Sequence, residues 1–231
     1  MTSPVIVALD FESASEAQAC VRALGPEADY YKIGLQLLLE AGPPLVHELV
    51  RLGKSVFLDL KLHEIPNSVA GAVRAAGKLG VTMVTVHASA GSAVLRAAVE
   101  AARPFPQLNV LALTVITSLG DDDLGELGLA PSVEDQVLRL AGLACAAGCH
   151  GVVASALEAA YLRQALPELG LIVSPGIQLL DSDATDQVRI ATPRFAASAG
   201  ATHIIIGRAI TSSPEPTVAF QTAMTEFKHL G

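Results

Sequence analysis

No tryptophan occurs in this chain, and phenylalanine and tyrosine bring the aromatic share to only 4%. With 51% apolar residues, that scarcity suits a compact helix-and-strand enzyme and speaks against a disordered or fibrous chain. Cysteine is scarce too, at three residues. Cys145 and Cys149 stand four apart, a poor zinc or redox pair, and Cys20 falls on a helical pattern. All three read as small buried or half-buried hydrophobes in a reducing compartment, so the expected location is cytoplasmic. Long apolar runs are also missing. The most apolar part, Leu140 to Leu162, is interrupted by His150, Ser155 and Glu158, and nothing approaches a membrane span. The start, Met1 to Pro4, has neither a basic region nor an apolar region of the secretory kind. Positive charge is in deficit, with 15 Lys and Arg against 23 Asp and Glu and a net charge of −8. Neither nucleic acid nor membrane is therefore an expected partner, and a site for an anionic ligand needs its own local cations.

What the sequence does contain is a rhythm. Apolar strands are predicted at 5–10, 30–34, from Lys54 through Leu58, and at 81–87, 109–116, 151–154, 171–174 and 203–206. Helical patterns follow at 16–24, 35–52 with a break at Gly42-Pro43-Pro44, 67–79, 91–102, 133–147, 156–166, from about Arg194, and at 217–229. Asp121 to Asp123 reads as the start of a polar loop. Eight strands thus alternate with eight helical segments at roughly 25 to 30 residues per unit, and the strands are near-continuously apolar. No linker divides the chain, and no G-x-G-x-x-G pattern follows the first strand. The expected architecture is one α/β catalytic domain over residues 1–231, a closed (β/α)8 barrel rather than a doubly wound sheet.

In such a barrel, residues at the C-terminal ends of the strands collect at one mouth. Here those ends carry Asp10, Lys32, Asp59 with Lys61, His87 with Ser89, Thr117 with Ser118, Ser155, Ser174, and Gly207 with Arg208. Residues two apart on a strand face the same way, so Asp59 and Lys61 point together, and Glu64 is expected to turn back toward them. Taken alone, this run also reads as a solvated ion pair at a strand end. Lys32, Asp59, Lys61 and Glu64 would alternate in sign if assembled, and unit charges about 4 Å apart interact by roughly 4 kcal/mol at an effective dielectric near 20. A lysine among acids is suited to deliver a proton, not to act as the neutral amine that Schiff-base chemistry requires. Lys61 would also occupy the space a divalent metal needs, so no metal is expected. His63 and His87 are ligands only in principle. After strands seven and eight, Pro175-Gly176 and Gly207-Arg208 suit a phosphate group, although they also read as two turn glycines and a surface arginine.

The run Asp59-Leu60-Lys61-Leu62-His63-Glu64-Ile65-Pro66-Asn67-Ser68 resembles the signature of the orotidine 5′-phosphate decarboxylase family, Asp-x-Lys-x-x-Asp-Ile-Pro-Asn-Thr. The likeness extends through Val7 to Asp10, Tyr31 to Gly34, Val86 to Ser89, Leu113 to Ser118, Ser174 to Ile177, Asp186-Gln187 with Thr192-Pro193, and Ile206 to Arg208. It implies cofactor-free, metal-free decarboxylation of orotidine 5′-monophosphate to uridine 5′-monophosphate, in a homodimer with shared active sites. It further implies that Asp10 and Lys32 hold ribose hydroxyls and that Asp59 faces the substrate carboxylate. Lys61 would then protonate C6, with Thr117 and Ser118 beside the pyrimidine. Gln187, Gly207 and Arg208 would take the phosphate, and Asn67, Ser68 and Gln178 would also touch substrate. The family's last motif acid reaches into the neighbouring subunit, a role that would fall to Glu64. Two positions depart from the pattern. Glu64 stands for the usual Asp and is one methylene longer. Gln178 stands where Arg is common, and either weakens phosphate binding or makes neutral contacts while Arg208 carries the charge.

Overall fold

The computed structural model describes residues 3–179 and 189–228. Eight parallel strands close into a barrel in sequence order: β1 (Val5–Ala8), β2 (Tyr30–Gly34), β3 (Ser55–Leu62), β4 (Met83–His87), β5 (Asn109–Leu113), β6 (Gly151–Val153), β7 (Leu171–Ser174) and β8 (His203–Ile206). Closure is made where Val5, Ile6 and Val7 pair with Ile204, Ile205 and Ile206. The helices are α1 (Ala14–Leu24), α2 (Leu35–Arg51), α3 (Pro66–Lys78), α4 (Ser92–Ala102), α5 (Asp121–Glu126), α6 (Val133–Ala147), α7 (Ala156–Ala165), α8 (Pro193–Ser198), α9 (Arg208–Thr211) and α10 (Pro216–Lys228), with a 3₁₀ turn at Ala88–Ala90. The α/β barrel expected from the alternation is the fold observed.

The period of two within each strand sorts side chains into two cores. Odd-numbered residues of β1 and β2 such as Val5, Val7, Tyr31 and Ile33 pack outward under the helices, together with Val56, Leu58, Val84 and Val86. Ile6, Ala8, Tyr30, Phe57, Met83, Leu111, Leu113, Val153, Val173 and Ile205 form a separate cluster that fills the barrel. Full burial of a side chain such as Phe57 contributes about 1.5–3 kcal/mol, so these layers fix the register firmly. Following the inward rows toward the strand ends, apolar residues give way to polar ones: Ile6, Ala8, Asp10; Tyr30, Lys32; Phe57, Asp59; Met83, Thr85, His87. The polar mouth is thus the continuation of the rows that plug the barrel below it.

Local signals account for most boundaries. Ser13 caps α1, accepting the Glu16 N–H at 3.3 Å, and Thr192 caps α8, accepting the Phe195 N–H at 3.2 Å. The predicted break near Gly42 is present: that residue has φ 64° and ψ −173° and separates two helical stretches within α2. One expectation fails. Asp121 to Asp123 open a short helix, α5, instead of a polar loop. Three acids in the first turn suit the positive end of a helix, and the Asp123 carboxylate accepts the Gly120 N–H at 2.7 Å. Polar composition cannot distinguish such a capped turn from a loop. The helix α9, which begins at Arg208, was likewise unanticipated, and the last helix is described only to Lys228.

Candidate active site

The centre of the mouth is an irregularity in the sheet. Phe57 and Leu58 pair with Met83 and Val84, but the next pair is Leu62 with Val86. While β3 advances four residues, β4 advances two, so Asp59, Leu60 and Lys61 bulge opposite Thr85 alone. Lys61 pays for the bulge in its backbone. At φ 48° it is the only non-glycine among the described residues with a positive φ, a conformation that costs about 1–3 kcal/mol.

Four charges alternate across the bulge. The Lys61 Nζ donates to Asp59 Oδ2 at 2.6 Å, that oxygen lies 4.0 Å from Lys32 Nζ, and Lys32 donates to Asp10 Oδ1 at 2.8 Å. The two inner side chains, Lys32 and Asp59, are each only 10% exposed, whereas Asp10 is 59% and Lys61 41% exposed. Gly34 borders this row: a Cβ there would be in ordinary contact, 3.4 Å from Lys32 Nζ and 3.5 Å from Asp10 Oδ1. Half-exposed ion pairs add little to stability. A strained backbone carrying them is better explained by what the charges can do to a ligand.

Thr85 supports the row and went unmarked in the sequence. Fully buried, its hydroxyl donates to Asp59 Oδ1 at 2.9 Å and accepts the Lys61 backbone N–H at 2.9 Å. The available signal was parity, since Thr85 sits on the inward row between Met83 and His87.

Glu64 departs from expectation. Rather than turning back toward Asp59 and Lys61, it is exposed, and its Oε1 accepts the Ile65 N–H at 2.8 Å. Pro66 begins α3 two residues later, so the chain has already turned off the strand direction. Asn67 and Ser68 lie exposed on the first turn of α3, continuing a surface that includes Ile65, 63% exposed.

Across the mouth, Thr117 is buried and Ser118 exposed in the segment between β5 and α5. Gly207 follows β8 beside Asp10, where an added Cβ would lie 3.9 Å from Asp10 Oδ2, and Arg208 is exposed at the start of α9. Gly176, at φ 77°, takes a turn that favours glycine, and its carbonyl accepts the Ala191 N–H at 2.9 Å. The half-buried Gln178 donates its own N–H to the Ala191 carbonyl, also at 2.9 Å. Gln187, named with the phosphate residues, and the neighbouring Asp186 lie outside the described residues.

Two strand-end hydroxyls take other places. Ser155 caps α7 by accepting the Leu157 N–H at 3.2 Å. The buried Ser174 Oγ finds no hydrogen-bond partner among the described residues. His63 and His87 stack with centroids 5.3 Å apart, and His87 Nδ1 lies 2.6 Å from Ser89 Oγ. Burial, then the charges of His63 and Lys61, push His87 below its ordinary value. Among the described residues no group of three or more His, Cys, Asp or Glu is arranged to hold a metal, and no helix is long and apolar enough to cross a membrane. The cysteines are free, with burial raising Cys20 to about 11 and Cys149 to about 12.

The chain was compared with known proteins. The pattern that defines the "Orotidine 5'-phosphate decarboxylase / HUMPS family" matches residues 3–223. The orotidine 5′-phosphate decarboxylase of Dichelobacter nodosus is 45% identical over 223 residues, 96% of this chain and 97% of that one. The Sodalis glossinidius protein of the same name is 46% identical over 230 residues, 98% of this chain and 90% of that one. A crystal structure of orotidine 5′-phosphate decarboxylase from Lactobacillus acidophilus superposes with a TM-score of 0.88 at 34% identity, covering 98% of this chain and 99% of that one.

Proposed function

The chain belongs to the orotidine 5′-phosphate decarboxylase / HUMPS family, and from that premise we propose that it converts orotidine 5′-monophosphate to uridine 5′-monophosphate and CO2 in pyrimidine synthesis. It is an enzyme of the carboxy-lyase class, and we read residues 1–231 as one cytoplasmic catalytic domain. The observation that carries the chemical reading is the alternating row Lys61, Asp59, Lys32, Asp10 at the barrel mouth, with distances of 2.6, 4.0 and 2.8 Å.

In this reading Asp10 and Lys32 hold the ribose hydroxyls, and Asp59 faces the carboxylate that leaves. Gly207, Arg208 and Gln187 bind the phosphate, joined by Gln178. Remote phosphate contacts supply binding energy that offsets bringing the substrate carboxylate close to Asp59. Breaking the C6–carboxylate bond releases CO2 and leaves the electron pair on C6. Lys61 transfers one ammonium proton to that carbon, and its neutral amine regains a proton from water. Preorganised charge at the reacting carbon supplies much of the rate, and no cofactor or metal takes part. Thr117 and Ser118 contact the pyrimidine. Asn67 and Ser68 reach substrate from the exposed turn of α3. Glu64, which stands apart from the row in its own chain, completes the site of the neighbouring subunit in a homodimer.

The test is an ultraviolet assay of orotidine 5′-monophosphate decarboxylation, run before and after chelation. Turnover that survives chelation is expected. Binding of uridine 5′-monophosphate without turnover would sink the reading. Sedimentation that found a fully active monomer would remove Glu64 from the site.

A further inference from the structure

Resting on that reading of the mouth, we infer that Thr85 is a positioning residue of the reaction: one buried hydroxyl fixes both the carboxylate of Asp59 and the backbone from which the proton donor projects. The argument begins with the lost ladder. Where β3 bulges, three residues stand opposite one, and the regular pairing with β4 is interrupted between Leu58 and Leu62. The Lys61 N–H therefore needs another acceptor, since a buried unpaired amide is costly. Thr85 Oγ1 accepts it at 2.9 Å.

The same oxygen has one proton, and it goes to Asp59 Oδ1 at 2.9 Å. A hydroxyl combines one donor with lone-pair acceptors, so both bonds form without competing. Donation to a carboxylate is charge-assisted and directional. Asp59 is thereby held by one oxygen from below, and its other oxygen, Oδ2, is turned to Lys61 Nζ at 2.6 Å and Lys32 Nζ at 4.0 Å. Lysine has a long flexible stem, and fixing its base at φ 48° narrows where its ammonium can go. Thr85 itself sits on the inward row of β4, fully buried and out of reach of a ligand in the mouth. Its influence runs through Asp59 and Lys61.

The experiment compares wild type with Thr85→Val, Thr85→Ala and Thr85→Ser. Valine keeps the shape and removes the hydroxyl, alanine covers the case in which valine does not fold, and serine restores the oxygen. Loss of the hydroxyl is expected to lower kcat by on the order of 10²-fold, the effect of misplacing reacting groups by about 1 Å. KM and the affinity for uridine 5′-monophosphate should stay within a few-fold of wild type, and Thr85→Ser should recover most of kcat. Near-wild-type kcat in Thr85→Val or Thr85→Ala overturns the role. So does a serine variant as impaired as valine, or a loss of kcat matched by equal losses of product affinity and melting temperature. A wild-type chain that folds and binds product but does not decarboxylate would instead refute the decarboxylase reading, and this role with it.

Discussion

Asp59 at the barrel mouth and Glu158 on its wall each hold a cation at hydrogen-bonding distance, Lys61 at 2.6 Å and Arg189 at 2.7 Å. The two centres are otherwise unlike. Arg189 and Glu158 have side chains 10% and 8% exposed, and the guanidinium also donates to the carbonyls of Val115 and Ile116 at 3.0 Å. That pair ties α7 to the segment after β5. Burial pushes the Glu158 carboxyl above its ordinary value, and the Arg189 charge pulls it back without winning. At the mouth the cation is 41% exposed, its backbone is strained, and Asp59 is its one hydrogen-bonded carboxylate among the described residues. An ammonium has three donors, so Lys61 keeps capacity for a ligand, whereas Arg189 gives Nη1 and Nη2 to protein oxygens and keeps only its buried Nε unpaired among the described residues. Similar ion pairs therefore serve opposite ends, one closing the structure and the other leaving it open to chemistry.

This contrast can be broken by removing one member of each pair. Lys61→Ala should lose at least about 10⁴-fold in kcat with the melting temperature little changed, because a half-exposed ion pair adds little stability and alanine keeps the same backbone conformation. Wild-type-like turnover would remove Lys61 as the proton donor. Glu158→Ala should do the reverse. Leaving Arg189 buried and unpaired costs about 3–5 kcal/mol, a fall of roughly 10 °C in Tm, with turnover per folded molecule kept within the same order. An unchanged Tm in calorimetry would show that the wall pair is not structural. Arg208→Ala is expected to act on binding, raising KM by about 10–100-fold, the worth of a charge-assisted contact. An unchanged KM would move the phosphate elsewhere.

The smallest effect is that of pH on stability. Burial lowers His87, His150 and His203 below the ordinary histidine value. Each therefore takes up protons more readily when unfolded, so its contribution is present above the unfolded value near 6.5 and is lost as pH falls through the lower folded value. Glu158 has the opposite sign, since its raised folded value favours the native state below the ordinary carboxylate range. Urea unfolding should show stability declining from pH 7 toward 5. A flat profile would mean that the histidines do not outweigh the opposing contribution of Glu158 in this range.

Much of this was legible in the residues. Apolar runs at regular spacing announced eight βα units, and the order Asp59, Lys61, Pro66 with Gly207 and Arg208 announced a site at the strand ends. The inward rows even predict that Lys32 and Asp59 share the barrel interior. Other features were not legible. Three acids at Asp121 read as a loop because a cap depends on one side chain reaching one amide. Glu64 read as part of its own chain's array because it was expected to turn back as the strand gave out, whereas the chain runs directly on into α3 at Pro66.

The sequence by itself determined the period, the count of units and which side chains face inward, because those follow from each residue's relation to its chain neighbours. The tertiary structure alone decided the bulge opposite Thr85, the left-handed Lys61 and the pairing of Glu158 with Arg189. Each of these needs partners that are 24 to 31 residues apart in the chain. Such partners meet only after the strands have closed and the register between them is set.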